Sequence, residues 1–326
     1  MSSRARAVAV TALVAALSAG AVVAIAARSG GEPPPQRQAA SRPGAPPLVL
    51  DLGVRTDPEA RDLRRALALY STGKFADANR LFSRHDSLEA KVGREVAAWP
   101  DGTLAGLSRL AALYPKSALV QLELGLAVYW AGQGGAEDAW RQAAALEPDT
   151  PYAVTAGNLL YPQYAKNLPT FVPDQVDLPG GLSRMSPSEQ LRVLRRWARR
   201  GVGENPTTGH LLYGVALQRL GRPLSAQREF DRAAEVASGD PEALVASAVG
   251  RFQKADPGAA FSRLGPLARR FPKSSTVRFH LGLLLLWIGS VDQAKKELLL
   301  ATTAEPGSAL ALEAARFLGT LRRVGR

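Results

Sequence analysis

The sequence predicts an all-α fold: a solenoid of about seven antiparallel helix pairs with a C-terminal capping helix, preceded by an apolar N-terminal helix and a proline-rich linker. Three observations predict it. Residues 114–132 return as residues 271–289, 157 positions later, with no gap and nine of nineteen residues identical. The shared set includes Pro115, Lys116, Ser117, Gly125, Trp130 and Gly132 against Pro272, Lys273, Ser274, Gly282, Trp287 and Gly289. Self-similarity on this scale marks stacked supersecondary units, none of which can bury its apolar face alone. Small residues also recur at one helix–turn–helix spacing along the chain, and no segment reads as a strand.

Residues 7–27 form a run of 21 residues without a charge, preceded by Arg4 and Arg6. About 20 apolar residues span a bilayer as a helix, and the basic flank predicts the N-terminus inside. The small-x-small pattern at Ala24, Ile25 and Ala26 also fits a cleaved secretory signal. Either reading exports the rest of the chain, and the absence of cysteine excludes a lipid-modified anchor. It also excludes disulfides, thiol nucleophiles and cysteine-ligated zinc. Residues 1–28 are therefore read as anchor or signal, and residues 29–56 as a linker. Residues 30–47 carry six prolines and three glycines with almost no large apolar side chain, too little surface to bury for order of their own.

Helix pairs occupy the remaining chain. Leu281, Gly282, Leu285, Gly289, Ala294, Leu298, Ala301 and Pro306 fall at positions 7, 8, 11, 15, 20, 24, 27 and 32 of a unit covering residues 275–308. Gly282 and Ala294 are small where two helices approach, Gly289 permits the turn, and Pro306 ends the second helix. The spacing returns at Gly214, Gly221, Ala226, Phe230 and Ala233. It returns again at Gly125, Gly132, Ala136, Trp140, Ala143 and Pro148, one residue short, and more faintly at Ala66, Gly73, Ala78 and Phe82. Two degenerate pairs around residues 87–114 and 241–271 complete the series. The pattern resembles the tetratricopeptide repeat, and the resemblance implies a right-handed solenoid that binds a protein or peptide. Pairs are expected over about residues 58–84, 87–114, 118–147, 151–200, 207–237, 241–271 and 274–304, with residues 310–318 in the cap. The first half covers residues 57–160 and the second residues 186–326.

Between the halves, residues 161–185 are inserted, with prolines at 162, 169, 173 and 179 and the aromatics Tyr161, Tyr164 and Phe171. A loop of this length inside a repeat is more often functional than not. Beyond it, Ser186, Pro187 and Glu189 read as a capping box opening a helix over residues 187–200. On that helix Arg192, Arg195, Arg196, Arg199 and Arg200 share one face, opposite Leu191, Leu194 and Trp197. An anion-binding face for a polyanion or anionic lipid is the alternative functional reading. The net charge of +12 lies in three patches: residues 1–50, 183–204 and 316–326 each carry a surplus of four positive charges, and the remainder is balanced. Nucleic acid is not the expected partner.

Catalytic signatures are missing. The chain has no HExxH, nucleophile elbow, strand-borne GxGxxG or phosphate loop, and Gly132, Gln133, Gly134 and Gly135 lie in a turn between helices. His85, His210 and His280 fall in three separate repeats and read as structural, so no enzyme, metal or cofactor is expected.

By the resemblance, the first helix of each pair lines a concave face through positions 2, 5, 6, 9, 12 and 13. Those are Leu119, Leu122, Glu123, Leu126, Tyr129 and Trp130 in the third pair. In the fifth they are Thr208, Leu211, Leu212, Val215, Gln218 and Arg219, and in the seventh Thr276, Phe279, His280, Leu283, Leu286 and Trp287. Leu122, Leu126, Tyr129, Trp130, Leu211, Phe279, Leu283, Leu286 and Trp287 form the expected partner-binding groove. An apolar trough of this size is costly in water, so a cover is expected: the inserted loop, or a partner's helix or extended segment.

Overall fold

The computed structural model describes residues 42–174, 181–201 and 205–324. The expected apolar N-terminal helix lies outside the described residues, as does the linker up to residue 41. Among the described residues, no helix is long and apolar enough to cross a membrane. They form fifteen α-helices in successive antiparallel pairs. The chain divides into two units, one ending at Leu160 and the other beginning at Tyr161.

The first unit comprises α1 (Pro58–Ser71) with α2 (Phe75–Phe82), α3 (Leu88–Ala97) with α4 (Thr103–Leu113), α5 (Ala118–Trp130) with α6 (Ala136–Leu146), and α7 (Pro151–Leu160). Its helix starts are written locally. Asp57 caps α1 by accepting from the Ala60 amide at 2.9 Å, with Pro58 at the first helical position. Ser117 caps α5 through the Val120 amide, and the Glu147 carboxylate accepts from the Ala118 amide at 2.7 Å. That carboxylate satisfies an orphan donor at the positive end of α5 and ties the close of one pair to its opening.

Two recurrent positions explain the repeat spacing. At position 15, Gly73, Gly132, Gly221 and Gly289 all adopt positive φ, between 65° and 79°, where a side chain would be strained. At position 8, a Cβ on Gly125 would stand 2.5 Å from the Trp140 indole, one on Gly214 2.4 Å from the Phe230 ring, and one on Gly282 2.8 Å from Leu298. The missing Cβ is the slot that receives the position-24 side chain of the second helix. Leu63, Phe82, Leu107, Leu122 and Leu126 are fully or almost fully buried in this unit's core.

The second unit opens with a 3₁₀ turn (Leu182–Arg184) and α8 (Pro187–Arg200). Then come α9 (Pro206–Arg219) with α10 (Pro223–Val236), α11 (Pro241–Gly250) with α12 (Gly258–Arg270), α13 (Ser275–Trp287) with α14 (Val291–Ala304), and finally α15 (Ala309–Val324). The cap seen at α5 recurs: Ser274 accepts from the Val277 amide and Glu305 from the Ser275 amide. The capping box at α8 forms, with the Ser186 amide donating to Glu189 Oε2 at 2.9 Å. Leu182, Leu194 and Leu212 bury the apolar face of α8 against α9. The capping helix is present as α15, where Leu310, Ala314 and Phe317 are buried and the Phe317 ring meets Phe279 edge-on at 5.8 Å between centroids.

The pair expected over residues 151–200 is divided between the units. Helix α7 packs on α5 and α6 and closes the first; α8 packs on α9 and opens the second. The inserted residues between them remove the short turn that would make two consecutive helices a hairpin.

Candidate functional site

In each unit, an extended segment of the chain lies along the face formed by the first helices of the pairs. In the first unit it is residues 42–52. The Tyr70 hydroxyl of α1 donates to the Pro46 carbonyl at 2.6 Å, and the Val49 amide donates to Glu123 Oε1 of α5 at 2.8 Å. The Asp51 amide donates to the Tyr152 hydroxyl of α7 at 3.0 Å, and the Arg42 amide to the Trp130 carbonyl at 2.9 Å. The Arg42 guanidinium sits 4.0 Å from the centroid of the Tyr129 ring and contacts its hydroxyl. Pro46, Leu48 and Leu52 are buried.

In the second unit the cover is the inserted loop. The Phe171 amide donates to Gln218 Oε1 of α9 at 2.9 Å, the Val172 amide to His280 Nε2 of α13 at 2.9 Å, and the Asp174 amide to Glu242 Oε1 of α11 at 2.7 Å. The Asp174 carboxylate then accepts from the Leu310 amide at the start of α15, at 2.8 Å. Lys254 donates to the Ala165 carbonyl at 2.7 Å. Phe171 is fully buried, stacked on the His280 ring at 5.0 Å and edge-on to Phe230 at 5.6 Å.

The two arrangements share their central contact and differ on either side of it, the Asp51 amide going to Tyr152 of α7 and the Asp174 amide to Glu242 of α11. Glu123 and His280 both occupy position 6, 157 apart, and each accepts the amide of a valine; Tyr70 and Gln218 both occupy position 12. The covering segments correspond too. Pro46, Leu48, Val49 and Asp51 match Pro169, Phe171, Val172 and Asp174 at a constant offset of 123. Both read Pro-x-apolar-Val-x-Asp, with the first apolar side chain buried in each. Extended backbone has no partners of its own for its amides, so side-chain acceptors at fixed spacing along a helix face are what hold it.

Burial sets the electrostatics. Glu123 is 1% exposed, and loss of water pushes its carboxyl up to about 8 against the opposing effect of the Val49 amide. Its second oxygen, Oε2, is buried without a hydrogen-bond partner. Burial pushes His280 down to about 4, so the ring is neutral: Nδ1 donates to the Thr276 carbonyl at 2.7 Å and Nε2 accepts. Burial raises Glu242 to about 7, opposed by the Asp174 amide, and lowers Lys254 to about 8.

The expected groove residues divide by depth. Leu122, Leu126, Leu211, Phe279, Leu283, Leu286 and Trp287 are buried, whereas Tyr129 and Trp130 are half-buried at the end of α5, where the covering segment enters. Of the loop aromatics, Phe171 is an anchor, while Tyr161 and Tyr164 are half-buried in a turn closed by the Tyr164 amide on the Tyr161 carbonyl. Arg192, Arg195, Arg196, Arg199 and Arg200 are all exposed along α8.

The reading of residues 30–47 as unable to order themselves is corrected for residues 42–47: they are held by groove side chains. Their own composition is poor in apolar surface, and the order is supplied by partners on α1 and α5. Tyr70, Tyr152 and Glu242 escaped the sequence reading. The recurrent Pro-x-apolar-Val-x-Asp pattern is the signal that would have found the segments they hold.

His85 meets Asp62 at 3.0 Å and His210 meets Glu229 at 2.8 Å. No group of three or more metal-ligating side chains occurs among the described residues.

No protein-family model matches the chain, and no curated protein matches it. Among solved structures, the crystal structure of yeast Tom70 is similar over 93% of this chain and 69% of that one, with 11% sequence identity and a TM-score of 0.30.

Proposed function

We propose that the chain is an exported scaffold that binds a protein or peptide partner along its groove faces and carries out no catalysis. One observation carries this reading: at equivalent positions in both units, groove side chains hold extended backbone through its amides and bury its apolar side chains. A surface that binds its own chain in this way has the chemistry to bind another. Export rests on the uncharged run at residues 7–27, which would also tether the scaffold to a membrane if uncleaved. Mass spectrometry of the mature N-terminus distinguishes tether from signal, and a chain starting near Ala27 overturns the tether.

The test of partner binding is site-specific photocrosslinking in cells that produce the chain. A crosslinker in place of Tyr129, at the rim of the first groove, is expected to give adducts with a second protein. One in place of Arg196, on the outer face of α8, serves as the comparison. Adducts from neither position remove the scaffold reading. The five exposed arginines of α8 favour a second reading, a face for polyanions or anionic lipid. Binding of anionic vesicles that falls steeply with salt and is lost on replacing those arginines by glutamine supports that reading instead.

A further inference from the structure

Resting on the scaffold reading above, we propose that residues 46–51 are a resident ligand of the first groove, displaced by a partner's extended segment of the pattern Pro-x-apolar-Val-x-Asp. The pattern occurs in both related halves of the molecule itself. Two segments that precede the matching helix pairs of the two related halves, one before α1 and one inside the inserted loop, keep this pattern and present the valine amide to the same groove position. Recognition at those positions is therefore of a sequence class: an amide at the valine, an apolar side chain just before it, a proline two residues earlier still.

The two resident segments are not held equally. In the second unit the anchor is a fully buried phenylalanine with two ring partners, Val172 is buried, and the Asp174 carboxylate is spent on the amide of Leu310. In the first, the anchor is the smaller Leu48 and Val49 is only half-buried. Most telling is Glu123. The segment gives it one donor and leaves Oε2, the hydroxyl oxygen of a neutral carboxyl, buried and unpartnered, a loss that a ligand with an added acceptor would repair. The first groove is thus complementary to something better than what fills it. Residues 46–51 compete from within the same chain, at the high effective concentration a short connection to α1 provides, so an incoming segment must bring such an added contact.

The experiment uses the full chain and a fluorescent peptide of residues 45–53, Ala-Pro-Pro-Leu-Val-Leu-Asp-Leu-Gly, followed by anisotropy. Leu48→Asp places a charge in the buried anchor site and weakens the resident segment. The variant is expected to bind the peptide about tenfold or more tightly than the unaltered chain, because the competing state is depopulated. The same peptide carrying an N-methyl group on its valine, which removes the donor to Glu123, is expected to lose that binding. A folded Leu48→Asp chain that ignores the peptide overturns the proposal, as does equal binding of the methylated form. If that variant does not fold, hydrogen exchange in the unaltered chain decides. Peptide at several millimolar, above the effective concentration of the tethered segment, should accelerate exchange at the Val49 amide, and unchanged exchange there overturns displacement. Dimerisation by exchange of residues 46–51 between copies, without entry of the peptide, also overturns it in favour of a second copy as occupant. Partner adducts at position 129 together with no peptide entry would leave the scaffold reading standing and remove displacement alone.

Discussion

Replacing Glu123 by glutamine should abolish a loss of stability that the first unit otherwise suffers as pH rises. Glu123 is buried on α5, where the Val49 amide donates to it at 2.8 Å. Its carboxyl is raised to about 8, from 4.5 for a free glutamate. The folded state therefore holds the proton more tightly than the unfolded chain does. The resulting stabilisation is complete below about pH 4.5, declines as pH rises, and is gone above about pH 8. A difference of about 3.5 pH units at 1.36 kcal/mol each corresponds to roughly 4–5 kcal/mol across that window. The titratable groups that face it, Tyr70 of α1 and Tyr152 of α7, are themselves raised by burial and stay protonated throughout. Glutamine keeps an acceptor for Val49 and removes the titration. The assay is urea unfolding at pH 5, 6, 7 and 8, read by hydrogen exchange at the amides of α5 so that the first unit is followed by itself. The unaltered chain should lose about 1 kcal/mol per pH unit relative to the variant. Parallel pH profiles for the two chains would refute the placement of an uncompensated carboxyl in that core.

The second unit should show the opposite slope at acid pH. His280 is lowered to about 4 and accepts the Val172 amide as a neutral ring, so its contribution is present above about pH 6.5 and lost as pH falls through 4. His280→Gln should remove roughly 3 kcal/mol of that acid dependence, measured by the same exchange experiment on α13. Phe171→Ala, which empties a fully buried site between His280 and Phe230, should destabilise the second unit by about 3–5 kcal/mol in urea unfolding, against about 2–4 for Leu48→Ala in the first. Gly209→Ala should cost more than Gly125→Ala. A Cβ at 209 would stand 2.5 Å from the backbone oxygen of Trp197, whereas one at 125 meets the indole of Trp140 first; both changes overpack, by about 1–3 kcal/mol or more, in calorimetry.

The helix pairs were legible in the residues alone because their determinants are local. Ser117 and Ser274 cap helices three residues away, the position-15 glycines make turns at their own φ, and the position-8 glycines face a side chain about sixteen positions on. Such spacings are visible to inspection and repeat with the unit. The inserted loop was one of two covers expected for the groove, but the segment over the first groove and the contacts that hold both became visible only in the folded chain, since those contacts span long stretches of sequence. Val49 reaches Glu123 across 74 residues, Val172 reaches His280 across 108, and Asp174 reaches Leu310 across 136. Nothing in the composition of residues 42–52 or 165–174 announces order, because an extended segment has no periodicity of its own. Its amides and few apolar side chains gain partners only when the helix faces that receive them have already been assembled.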